Sequence, residues 1–259
     1  MDNSLVNMVG LMVQQGKLPQ HLFKYRAINS YLDDIIINNR LWFSKATDFN
    51  DPFDCNIEVV TNNTTDEIRK YVTSKVPRGT PDDEIELAIT QATSNPYGFH
   101  DLINRNFRKA LDHRGVACFS KVDDNLLMWS HYSDYHRGCV FTFDVLEDPS
   151  FFVSPFNVEY QSDYPYYNHL ENSNDPVTPL IRTKSCDWQY EQEVRVVKDS
   201  IGLHSFKKTA LAEIIFGWRT PDSEIARIQK LAACYNYSTI RFKQARLKKR
   251  QFGLDIVPL

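Results

Sequence analysis

Apolar residues recur at helical spacing through residues 4–15 (SLVNMVGLMVQQ), although Gly10 and Gly16 weaken that helix. Residues 22–26 (LFKYR) predict a short strand. Asn29 or Ser30 can cap a helix reaching about Asn39, with Leu32, Ile35 and Ile36 on its buried side. Residues 41–44 (LWFS) predict a second strand, followed by a turn at Asn50-Asp51-Pro52-Phe53-Asp54. The pattern changes over 61–113. One helix follows Asn62-Asn63-Thr64-Thr65, a second starts at Thr80-Pro81-Asp82-Asp83, and a third runs from about Tyr97 to His113. Residues 115–120 (GVACFS) read as a buried strand. Asp123 or Asp124 then caps a helix carrying Leu126, Leu127, Met128, Trp129 and Tyr132. Strands are predicted at 139–145 and 156–160, a loop at 161–180, and strands at 188–197 and 213–217. A helix at 223–235, a strand at 239–243 and an edge strand at 252–257 complete the reading.

Strands and helices alternate without the regular rhythm of a doubly wound sheet. The expected fold is therefore α+β, a mixed and mainly antiparallel sheet, in one domain over 1–259 with 61–113 as a helical insertion or lid. Neither a dinucleotide fingerprint nor a P-loop occurs. A chain of 259 residues, 42% hydrophobic, can bury a substantial core. Its net charge of −3 gives no global field for nucleic acid, and the basic run Lys243 to Arg250, the local exception, reads as a solvated charged turn. Five scattered cysteines without a Cys-x-x-Cys suggest free thiols rather than a disulfide framework or a zinc site. With no secretory leader and no run of ~18 apolar residues, the expected setting is the cytoplasm, away from membrane.

Polar residues gather in a few places. On the predicted strand 188–197, side chains two apart share a face. Glu191, Glu193 and Arg195 then point one way, a carboxylate pair with a guanidinium to hold it ionised. Glu193, deeper in the strand, is expected to carry the chemistry, with Glu191 as its partner. Arg26, beside Tyr25 at the end of the first strand, could clamp a phosphate. Ser44 closes the second strand near Trp42, and His131 and Tyr132 could meet a flat ligand. The spacing of His131 and His136 does not suit a helical metal pair, so no metal is expected. Asp51 reads as an orienting carboxylate in a fixed turn.

Taken in order, these stretches form motifs: Phe23-Lys-Tyr-Arg26, Leu41-Trp-Phe-Ser44, Phe49-Asn-Asp-Pro-Phe-Asp54, Cys118-Phe-Ser120, Leu127-Met-Trp-x-His131-Tyr132, His136-Arg-Gly138 and Lys184-x-x-x-Trp188-x-Tyr-Glu191-x-Glu193-x-Arg195. Together they resemble the bacterial domain-of-unknown-function family 2971. More distantly, Arg26, the helix at 30–39, Ser44 and Glu191-x-Glu193 follow the order of mono-ADP-ribosyltransferases. Ser44 departs from that pattern in lacking a following Thr-Ser. The resemblance implies a split sheet and NAD as substrate, with Arg26, Ser44, Tyr25, Trp42, His131 and Tyr132 binding it. It implies Glu193 and Glu191 as catalytic residues, oriented by Asp51 and Arg195. It also implies a macromolecular acceptor, nucleic acid or protein, and a role as a phage-defence effector or toxin. The competing reading is a catalytically silent sensor or interaction domain, working with a partner protein of a defence system.

Overall fold

The computed structural model describes residues 3–56, 58–60, 62–164, 166–168, 170 and 177–259. The chain opens with α1 (Asn3–Gln14), which places Val9 in the core, and β1 (His21–Arg26). α2 (Ser30–Asn38) starts on Asn29, whose side chain accepts from the amides of Tyr31 and Leu32, and ends on Asn39 at φ 51°. These are the capping chemistry and left-handed stop expected of asparagine. β2 (Arg40–Lys45) and the two-residue β3 (Glu58–Val59) follow. α3 (Thr65–Lys75) opens on a capping box between Thr64 and Glu67. α4 (Asp82–Ser94) and α5 (Pro96–Asp112) complete the helical stretch, and Leu111 of α5 packs against Val116, Ile181 and Val197.

β4 (Gly115–Ser120) is followed by α6 (Leu126–Tyr132). Asn125, rather than Asp123 or Asp124, caps α6 by accepting from the amides of Leu127 and Met128. β5 (Cys139–Asp144) comes next, and the single strand expected at 156–160 is two, β6 (Pro155–Asn157) and β7 (Glu159–Gln161). The expected loop at 161–180 contains β8 (Tyr166–Tyr167) and the start of α7 (Val177–Arg182); residues 165, 169 and 171–176 lie outside the described set. β9 (Thr183–Ser185), a 3-10 turn at Cys186–Glu191 and β10 (Glu193–Lys198) follow. The chain then runs through β11 (Gly202–Ser205), β12 (Leu211–Phe216), α8 (Asp222–Cys234), β13 (Arg241–Leu247) and β14 (Leu254–Pro258).

Ten strands form one sheet, whose pairs are antiparallel apart from β12 with β13. The mixed, mainly antiparallel α+β expectation therefore holds. Helices cover both faces, which is why β4, β5 and β10 read as nearly continuous apolar runs. One face packs Leu22, Phe119, Phe141 and Val194 against Leu32, Ile36 and Ile228. The other packs Tyr25, Val140 and Ile215 against Met128 and Trp129 of α6.

β4 organises the centre. One edge pairs with β10 along its whole length, from Glu193 opposite Ser120 to Lys198 opposite Gly115. The other edge is shared: β1 meets it at Phe23 opposite Ser120, and β2 at Ser44 opposite Val116 and Lys45 opposite Gly115. Between those points Ala117, Cys118 and Phe119 have no strand partner on that side among the described residues, which leaves a gap in the ladder. Lys24 reaches into the gap and donates to the Cys118 carbonyl at 2.6 Å. Phe23, Ser120 and Glu193 are side by side and share a face; by alternation Lys24 and Arg26 belong to the opposite face.

The His136-Arg-Gly138 motif is explained by packing. Residues 134–136 turn through three left-handed conformations, with φ of 49°, 52° and 67°, so that His136 stacks on Trp129. Gly138 then passes against β1, where a Cβ would lie 2.1 Å from the Arg26 carbonyl oxygen and 2.8 Å from that of Ser133. Both are backbone atoms and cannot swing away. Gly138→Ala should lower the unfolding free energy by about 1–3 kcal/mol, the range for overpacking a tight site. Urea unfolding of the variant checks this, and an unchanged midpoint would mean that the strand ends there are free to part.

Candidate functional site

Arg195 has no exposed surface. Its Nε donates to Glu193 Oε1 at 2.9 Å and its Nη2 to Glu193 Oε2 at 3.0 Å, the two-pronged geometry in which Arg matches a carboxylate. Nη2 also reaches Asp54 Oδ2 at 2.7 Å, and Nη1 donates to the Ile181 carbonyl at 2.8 Å. The guanidinium lies over the Phe49 ring, 5.3 Å from its centroid. Lys184 completes the cluster, with Nζ at 2.5 Å from Glu191, 3.3 Å from Glu193 and 3.5 Å from Asp54. Two cations and three carboxylates are thus buried together.

Glu191 and Glu193 are not successive same-face residues of one strand. Glu191 ends the 3-10 turn, Gln192 has a left-handed backbone at φ 45°, and β10 begins only at Glu193. The turn is fastened by Ser120, whose hydroxyl donates to the Glu191 carbonyl at 2.7 Å, and by the Gln192 carbonyl, which accepts from the Lys121 amide. Lys184 then draws the two carboxylates together. Tyr132 donates to Glu191 Oε1 at 2.5 Å, so α6 positions the first glutamate while β10 positions the second. The Glu193 amide donates to the Tyr160 hydroxyl at 2.8 Å.

A cavity of about 200 Å³ opens over this pair, lined by Glu191, Glu193, Tyr25, Ser44, Tyr132 and Lys24, among others. Three expected ligand-site residues thus flank the carboxylates there, Tyr25, Ser44 and Tyr132, and Ser120 joins them. Arg26 and Trp42 do not. They line a second cavity, of about 580 Å³, with Tyr31, Arg40 and Leu203. The expectation of a single concave site is corrected accordingly: β1 contributes Tyr25 to one cavity and Arg26 to the other because they are neighbours on an alternating strand. His131 is also outside both linings, exposed, with Nδ1 3.0 Å from the Tyr190 hydroxyl.

Asp51 is buried, and its Oδ1 accepts from the Phe53 amide at 2.9 Å, so it orders the turn. The carboxylate that this turn sends to Arg195 is Asp54. Asp54 and Lys184 are participants not singled out as site residues from the sequence, although Asp54 closes one of its motifs and Lys184 opens another. Among the described residues no cluster of His, Cys, Asp and Glu could hold a metal ion.

Burial alone would raise the Glu193 pKa, but Arg195 and then Lys184 outweigh it and hold the carboxyl down at about 2. Burial pushes Glu191 above the usual carboxylate range, with Lys184 pulling the other way. Burial, with Arg26 nearby, lowers Lys24 to about 8. A carboxylate depressed from 4.5 to about 2 stabilises the fold fully above pH 4.5 and loses that contribution as pH falls through about 2. Its size is on the order of 3 kcal/mol. Unfolding measured between pH 5 and pH 2 should therefore steepen in the native protein and flatten in Glu193→Gln. Equal slopes would mean that Glu193 is not held ionised by its partners.

No curated protein and no solved structure matches the chain significantly. Residues 128–196 match the model of a family described as Protein of unknown function (DUF2971). The matched stretch carries Tyr132, Lys184, Glu191, Glu193 and Arg195, whereas β1, β2 and Asp54 precede it. From residue 128 to residue 196, the likeness to domain-of-unknown-function family 2971 read from the motifs is borne out.

Proposed function

We propose that the protein is an NAD-dependent ADP-ribosyltransferase-like enzyme working in the gap between β1 and β2. One observation carries the reading. A buried glutamate pair borders one cavity at the gap, and cations without carboxylate partners border the gap itself. Arg26 makes no ion pair among the described residues, and its Nε is buried without a hydrogen-bond partner. Among the described residues the Lys24 ammonium hydrogen-bonds only to the Cys118 carbonyl. Uncompensated charge at such depth is costly, and a ligand's phosphates would offset it. The smaller cavity, about 200 Å³, is below the ~300–1,000 Å³ usual for ligand sites, so a dinucleotide has to extend beyond it along the gap.

Here the nicotinamide ribose would occupy the cavity of Glu191, with Tyr25 and Tyr132 flanking the ring and the diphosphate continuing towards Lys24 and Arg26. Loss of nicotinamide leaves positive charge on the sugar, which a fixed carboxylate stabilises. Glu191 is the better placed of the two for this role and for taking the acceptor's proton. Its raised pKa suits a base, and its oxygens accept from Tyr132 and Lys184, whereas those of Glu193 are both held by the fixed charge of Arg195. Glu193 acts by fixing Lys184 and Arg195. The acceptor in this reading is a macromolecule. The same engagement favours a second reading, a catalytically silent sensor, because the ion network is closed without any ligand.

Nicotinamide release from NAD by purified protein separates the two. Glu191→Gln should reduce turnover by about 10²-fold or more with a melting temperature close to that of the native chain. Glu193→Gln should lose activity and stability together, since it leaves buried Arg195 short of charge. NAD binding without nicotinamide release, in the presence of protein and nucleic-acid acceptors, would support the sensor instead.

A further inference from the structure

The far end of the sheet bears a feature that neither cavity explains. Of the 30 Lys and Arg residues, six lie in 241–259, against one of the 33 acids; that stretch carries +5 and the rest of the chain −8. β13 and β14 form an antiparallel hairpin, and the Lys248 amide donates to the Gly253 carbonyl at 3.1 Å to close its tip. Left-handed backbone at Arg250 (φ 60°) and a positive φ at Gly253 (145°) shape the turn. Phe252 stands fully in solvent, and Leu247 beside it is about half exposed.

Part of this charge is already used. Glu213 binds Arg241 at 2.8 Å and Lys243 at 2.9 Å, and Lys248 lies 4.0 Å from Asp255. Arg246, Lys249 and Arg250 have no carboxylate within ion-pair distance among the described residues. A hairpin tip with unpaired cations and a bare phenyl ring combines the two elements that hold single-stranded nucleic acid. Cations follow the phosphates, and an aromatic face stacks on an unpaired base. A duplex offers the phosphates but buries the faces of its bases. A membrane surface would want a broad apolar face, yet Arg246 and Leu247 fall on opposite faces of this hairpin.

The hairpin is also continuous with the site. Ala245, Leu254 and Ile256 pack in the same cluster as Trp129, Tyr132 and Tyr190, and Tyr132 holds Glu191. We infer that the β13–β14 tip docks single-stranded nucleic acid, and, resting on the ADP-ribosyltransferase reading, that this strand is the acceptor. Docking itself needs no NAD chemistry.

Fluorescence anisotropy with a labelled single-stranded oligonucleotide, run without NAD on the full chain, tests it. Phe252→Ala should weaken single-strand binding by about 5- to 150-fold, the range for losing one base stack, and leave duplex binding nearly unchanged. Lys249→Glu/Arg250→Glu should weaken both and reduce the salt dependence. Neither variant touches the cavities, so nicotinamide release in the absence of acceptor should stay at the native level. Failure to consume NAD would sink the enzyme reading while leaving docking intact. Single-strand binding that is absent, or insensitive to both variants, overturns the inference, as does binding to phosphatidylserine vesicles in place of oligonucleotide.

Discussion

Arg195 is sealed from water, and its charge has to be balanced within the protein. An isolated buried cation costs several kcal/mol, and a partner repays that only with good geometry and every donor satisfied. Glu193 supplies a two-pronged carboxylate, Asp54 a second anion, and the Ile181 carbonyl, the Cys55 sulfur and the Phe49 ring further contacts. These groups come from β10, the turn after β2 and α7, so one guanidinium ties three distant parts of the chain together. Lys184 extends the network to Glu191, and it is Glu191 that meets both the cavity and Tyr132.

Much of the frame was legible. Capping by Asn29, the helix on Leu32, Ile35 and Ile36, and the buried strand 115–120 follow from local pattern and are found where that pattern puts them. The site was legible as motifs rather than as geometry. Strand alternation was read through residue 191, but Gln192 adopts a left-handed conformation that ends it, and a turn replaces the first half of the expected strand. No local signal announced that turn, which is held by Ser120, 71 positions away from Glu191. Arg26 illustrates a different limit. Its face follows once Phe23, Ser120 and Glu193 are known to be in register, and register between distant strands is not written in either strand alone.

The gap in the β4 ladder joins these strands to the proposed chemistry. β4 pairs with β1 at one end and β2 at the other, leaving Ala117, Cys118 and Phe119 open between them. Lys24 enters that opening, and the two cavities lie on either side of it along the same two strands. Carboxylates with matched cations border one cavity and an unmatched cation the other. The proposed function rests on this arrangement, with the sugar of NAD set at the carboxylates and its phosphates at the cations.

The claim on which the rest depends is that Glu193 and Arg195 act as one unit. A double-mutant cycle of Glu193→Leu and Arg195→Met, read by urea unfolding at neutral pH, tests it directly. Each single substitution should cost about 3–5 kcal/mol by stranding its partner, and the double substitution should cost clearly less than the two together. Strictly additive losses would contradict the account, because they would mean that the two charges do not depend on one another.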